Sequence, residues 1–249
     1  MENYYVDRAR TSVSELLKLQ RHVQSRIGGR DCVVIGSAPN PVVPEMKDPF
    51  VICVNGSVFS ADEYWGRSPD LTYLCGAIFN DSDHYAVRTK DALRGRTVGD
   101  ALIARHVFKK ALTVLASERV LHGRSFPLSK YDKRIILGEA IGHSLFGGYR
   151  CNSNVSNGFF MVGMALWGGA SRVVFSGISF GNQHAYSAGT ALSQRGHLRE
   201  DQSFLKVAVD LKLPVFTTSD EIHAYSGLAM WPATEGCSRS DQTAVDRLV

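Results

Sequence analysis

Residues 154–180 read NVSNGFFMVGMALWGGASRVVFSGISF. Small polar residues lead into a run of apolar and small side chains, the pattern of a buried helix, and Gly168-Gly169 then breaks it. The short apolar run Val173-Val174-Phe175 follows and predicts a strand. That strand ends in Ser176-Gly177-Ile178-Ser179, small and polar where an α/β protein leaves room for a ligand beyond the carboxyl end of a strand. A plain connection between strand and helix has the same composition, so both readings stay open at this point.

Working outward, the same grammar repeats. Asp31-Cys32-Val33-Val34-Ile35 is predicted as a strand and opens into Gly36-Ser37-Ala38-Pro39-Asn40-Pro41. This is neither the GxGxxG fingerprint nor a lysine-bearing phosphate loop, but a glycine and small residues let a backbone approach phosphate or sugar, and a plain turn is the other reading of the same residues. Phe50-Val51-Ile52-Cys53-Val54 ends in Asn55-Gly56-Ser57, and Leu71-Thr72-Tyr73-Leu74 ends in Cys75-Gly76-Ala77. Asn55 has the paired donor and acceptor that read a base or ribose, and it is equally a turn asparagine beside glycine. An amphipathic helix is expected over 10–27 with Gly28-Gly29 as its stop, a second over 200–211, and a strand over 214–217. Strands alternating with helices predict one α/β domain over 1–249, with a mostly parallel central sheet and helices on both faces.

Three further stretches lack clear periodicity. Residues 118–150 are expected to form an irregular, partly basic segment beside the substrate or at an oligomer surface. Residues 181–196 are expected to form a lid, and the tail after Asp220 becomes polar, which suits either a poorly ordered end or a part in assembly. Asp81, Asp83 and His84 cluster in a polar turn without a second ligand set, so no metal site is expected.

The net charge of +4 is scattered, which suits an anionic substrate or an acidic membrane surface and argues against a nucleic-acid partner. Five cysteines, Cys32, Cys53, Cys75, Cys151 and Cys237, are odd in number and fit a reducing cytoplasm. No stretch approaches the length of a membrane span, which leaves only peripheral attachment, at the inner face of the membrane.

Taken in order, Val33-Val34-Ile35-Gly36-Ser37-Ala38-Pro39, Cys53-Val54-Asn55, Ser156-Asn157-Gly158, Ser176-Gly177-Ile178-Ser179-Phe180, Tyr186, and Gly196-His197 with Asp201 beyond resemble the bacterial sialyltransferases that use CMP-activated sialic acid. That compact group has a single Rossmann-like domain. The resemblance implies that Gly36, Ser37 and Asn55 surround CMP and that Ser156, Asn157 and Gly158 lie near the phosphate or the sugar carboxylate. It places Ser176 and Gly177 at the donor-side strand end, makes Tyr186 a hydroxyl donor to the departing phosphate, and makes His197 the general base. This chain departs from the pattern in two places. Gly177-Ile178-Ser179-Phe180-Gly181 stands where the family has Gly-Ile-Asp-Phe-Tyr, and Asn154 stands where the family has an arginine; Arg150, four residues earlier, is the expected replacement for that charge.

The implied reaction is metal-independent, inverting transfer of sialic acid or a related ulosonic acid, such as 3-deoxy-manno-octulosonic acid, from its CMP donor to a glycan hydroxyl. Imidazole accepts protons near neutrality and a tyrosine hydroxyl stabilises developing phosphate charge, so no cofactor beyond the nucleotide-sugar is needed. Another nucleotide-sugar enzyme on this scaffold, or an inactive nucleotide- or glycan-binding module, has the same features. His184 is the other candidate base, with His143, His122 and His223 behind it.

Overall fold

The apolar runs become the strands of one sheet in the computed structural model, which describes residues 13–39, 41–80, 84–141, 154–181 and 197–232. The strands are β1 (Asp31–Ile35), β2 (Phe50–Val54), β3 (Leu71–Leu74), β4 (Asp100–Ala104), β5 (Ser125–Leu128), β6 (Arg172–Ser176) and β7 (Val215–Thr217). They lie in the order β5-β4-β3-β2-β1-β6-β7, and every pairing is parallel. The chain therefore steps outward from β1 to β5, crosses back, and places β6 on the opposite side of β1.

The period of two sorts the side chains between two cores. Cys32 and Val34 of β1 join Val173 and Phe175 of β6 in one core, whereas Val33 and Ile35 join Val174 in the other. The first core is covered by α1 (Val13–Ile27), α5 (Lys130–Ile141), α6 (Asn157–Trp167), α7 (Leu198–Asp210) and α8 (Asp220–Ser226). The second is covered by α2 (Val58–Trp65), α3 (His84–Leu93) and α4 (Phe108–Ser117). Burial on both faces explains why the strands read as continuous apolar runs rather than as alternating ones.

Helix α6 lies at the centre of the first core. Phe159, Phe160, Met161, Val162, Met164 and Ala165 are all fully buried, and Phe159 meets Phe175 of β6 edge-on with ring centroids 5.4 Å apart. Gly163 lets α5 approach, since a Cβ there would lie 2.4 Å from Leu137 Cδ2. The segment expected to be irregular, 118–150, instead supplies β5 and the twelve-residue α5. Helix α5 starts with a reciprocal cap: the Ser129 amide donates to Asp132 Oδ2 at 2.7 Å, and the Asp132 amide donates to Ser129 Oγ at 3.2 Å.

The amino edge of the sheet is closed by ion pairs. Arg172 donates to both oxygens of Asp31, at 2.9 and 2.5 Å. Asp100 accepts from His22 Nε2 at 2.6 Å, Arg26 at 2.5 Å and the Arg124 amide at 2.8 Å. Burial alone would push the Asp100 carboxyl up, but these bonds outweigh it and hold the group below its ordinary range. No described helix is long and apolar enough to cross a membrane.

Candidate active site

The connections of β1 and β6 leave in opposite directions, so the carboxyl ends of these neighbours flank the crevice that such sheets use for ligands. Three stretches converge there. The Gly36 amide donates to Ser176 O at 2.8 Å and the Ala38 amide to Gly177 O at 2.7 Å. A Cβ on Gly36 would lie 2.3 Å from Gly177 O and 2.5 Å from Ile178 Cγ1, so only glycine permits this crossing. Gly177 itself has a φ of 62°, the left-handed region. A Cβ on Gly158 would lie 2.8 Å from Ile178 Cδ1, so the loop after β1 and the first turn of α6 rest on the same isoleucine.

Several polar groups of these loops hold the edge together. The Ser176 hydroxyl donates to Val42 O at 2.6 Å and pins the chain that follows the β1 loop. Ser37 is half-buried in the bend after β1. Asn55, only 6% exposed and with a φ of 53°, accepts from the Cys75 amide at 2.9 Å through Oδ1 and donates to the Tyr85 hydroxyl at 3.0 Å through Nδ2. It ties the ends of β2 and β3 to α3, and those two bonds leave one amide proton.

Helix α6 runs antiparallel to the strands and presents its amino end at this edge. Ser156 is its N-cap and makes no side-chain cap bond to the first-turn amides. The Ser156 amide donates to Oδ1 of fully buried Asp201 at 2.7 Å. Asn157 Oδ1 accepts from Lys133 Nζ at 2.8 Å. Lys133 is itself 6% exposed, and its ammonium lies 4.6 Å from the ring centres of both Tyr73 and Phe160. Beside it, Arg134 Nε donates to Asn154 Oδ1 at 3.3 Å, so the cation that meets Asn154 comes from α5.

His197 is the N-cap of α7 and is exposed, with its carbonyl accepting from the Asp201 amide at 2.9 Å. The peptide of Asp201 thus closes the first turn of α7, while its carboxylate reaches the start of α6. Tyr186 and Arg150 fall outside the described residues, as do His184 and His143, all but Gly181 of the expected lid, and the tail from 233 onward. Of the other histidines, His223 Nδ1 bonds Leu228 O at 2.7 Å, and His122 packs beside Gly123 and Ser125. Among the described residues no group of three or more His, Cys, Asp or Glu could hold a metal ion.

Lys133 and Arg134 are missing from the site that the sequence alone proposes. Their signal was the Ser129-Lys130-Tyr131-Asp132 capping pattern, which starts a helix and places Lys133 at the end of its first turn and Arg134 just beyond.

The molecule is therefore a doubly wound parallel α/β domain with an electropositive helix start at its switch point. No protein-family model and no curated protein sequence matches the chain. Solved structures do match in fold. The monofunctional alpha-2,3-sialyltransferase Cst-I from Campylobacter jejuni aligns with a TM-score of 0.53 at 12% identity, over 81% of this chain and 81% of that one. The sialyltransferase CstII from Campylobacter jejuni, in complex with cytidine-5'-monophosphate, aligns with a TM-score of 0.51 at 13% identity, over 82% of this chain and 86% of that one. CST-II with a trisaccharide acceptor and CMP aligns with the same TM-score at 14% identity and over the same shares of the two chains. This chain has the fold of those bacterial sialyltransferases.

Proposed function

We propose that this protein is a glycosyltransferase that moves an acidic sugar, sialic acid or a related ulosonic acid, from its CMP donor to a glycan hydroxyl. The observation that carries the reading is the start of α6. At the switch point of a sialyltransferase-like fold, an amino end whose N-cap serine makes no side-chain cap bond has a buried lysine behind it, which suits a phosphate or carboxylate. The Asp201 carboxylate already meets the Ser156 amide, and the two cations of α5 leave this end able to take a further anion, such as the phosphate or the carboxylate of a nucleotide-linked acidic sugar.

In this reading His197 takes the proton of the acceptor hydroxyl as its oxygen bonds the anomeric carbon. The bond from that carbon to the CMP oxygen breaks on the opposite face, which inverts the centre and leaves the charge on departing CMP. Tyr186 donates its hydroxyl to that phosphate oxygen. Arg150 adds positive charge on the donor side. The loop at Gly36 and Ser37, the remaining Asn55 amide proton, Ser156, Asn157 and Gly158 hold the donor, and Ser176 and Gly177 keep the loop after β1 in place. The reaction requires no metal, because protein donors meet the phosphate.

Replacing His197 by alanine is expected to lower transfer from a CMP-linked sugar by about a hundredfold or more while CMP binding is retained. Equal transfer by the variant and the wild type would remove His197 from the mechanism. Cytidine nucleotide binding with no transfer in either protein would favour the binding-module reading.

A further inference from the structure

We infer that Lys133 is the positioning residue of the donor site: from beneath the crevice it fixes the Asn157 amide so that its NH2 group faces the anion. The inference rests on the function proposed above. A lysine ammonium only donates, so the amide atom held at 2.8 Å is the oxygen and the NH2 group must turn the other way. Asn157 is half-buried on the first turn of α6. Its free end is therefore set as a donor beside the first-turn amides, rather than as an acceptor that would repel an oxyanion.

The surroundings of Lys133 suit this role. Its ammonium lies 4.6 Å from the ring centres of both Tyr73 on β3 and Phe160 on α6, and the residue is 6% exposed. It acts through Asn157 and through its charge, and it does not touch the ligand. Anchoring on β3, α5 and α6 at once makes the orientation rigid, because none of these three can shift without disturbing fully buried Phe160. The oxyanion is the phosphate of CMP or the carboxylate of the sugar, and the measurement separates the two.

The test compares the affinities of cytidine, CMP and a non-hydrolysable CMP-linked acidic sugar for the wild type, Lys133→Met and Asn157→Asp. Lys133→Met keeps length and apolar packing. Asn157→Asp keeps the shape and the bond to Lys133 but removes the NH2 donor and neutralises the site. Both variants are expected to bind cytidine like the wild type. Both are expected to lose about tenfold or more in affinity for CMP if the phosphate is the anion met, or for the CMP-linked sugar alone if the carboxylate is. Unchanged affinity of Asn157→Asp for both anionic ligands would overturn the assignment, as would a Lys133→Met variant that loses cytidine, CMP and the CMP-linked sugar equally. If the wild type binds no cytidine compound, the functional reading fails and takes the inference with it.

Discussion

Gly36 shows how closely the ligand edge is built. Its missing side chain lets the loop after β1 cross the end of β6, with backbone oxygen where a Cβ would be. Gly36→Ala should destabilise the protein by about 1–3 kcal/mol and weaken CMP binding together with stability, as read from urea unfolding and a binding titration. An alanine variant with wild-type stability would mean the crossing is loose. Asn55 teaches the converse. The sequence leaves it open between a ligand residue and a turn asparagine, and the structure shows bonds from both ends of its amide joining β2 to β3 and α3 with one amide proton left over. A buried bridging asparagine and a nucleotide-reading one have the same side chain, so only the placement of Cys75 and Tyr85 separates the two uses.

Cys32 and Cys53 are strand residues whose thiols burial pushes up to about 12 from an ordinary value of 9.0; the Ser57 bond offsets part of this for Cys53. In the unfolded chain these thiols ionise near the ordinary value, so the unfolded state holds fewer protons as pH rises. Stability should therefore fall between about pH 9 and pH 12. Denaturation midpoints should drop over that range less steeply in Cys53→Ala than in the wild type. Identical slopes would show that the thiol is already solvated in the native state.

At the scale of elements, α6 carries both the fold and the site. Its apolar middle is legible because every side chain faces core, and its start is legible as a polar turn. Phe159 is fully buried against Phe175 and Phe204. Phe159→Ala should cost about 3–5 kcal/mol in chemical unfolding, while a cost under about 1 kcal/mol would mean the core refills the space. Helix α5 was not legible, because its buried positions include Asp132 and Lys133, which break the apolar period. Polar groups turned inward for capping and for the site look, in sequence, like a solvated face. The same substitution of polar for apolar that hid α5 is what supplies the cations at the start of α6.

For the whole molecule, the two edges of the sheet do different work. The amino edge pairs its charges closely, Asp31 with Arg172 and Asp100 with His22 and Arg26. At the carboxyl edge Lys133 and Arg134 are turned onto asparagine oxygens around an amino end whose N-cap serine makes no side-chain cap bond. The order of motifs in the chain anticipates this edge, since the runs of β1, β2, β3 and β6 end in small residues, and it allows a mostly parallel sheet with a shared crevice to be read from sequence; β4, which runs into Arg105-His106, and β5 lack that signal. It does not anticipate which polar groups are engaged by neighbours, because that depends on contacts between segments far apart in the chain. The central claim, transfer from a CMP-linked acidic sugar, is tested most directly by release of free CMP across a panel of nucleotide-sugars, with and without simple glycan acceptors. The account predicts release from a CMP-linked acidic sugar, increased by an acceptor and lowered about a hundredfold or more in His197→Ala; release from uridine- or guanosine-linked sugars in preference to every CMP-linked donor would contradict it.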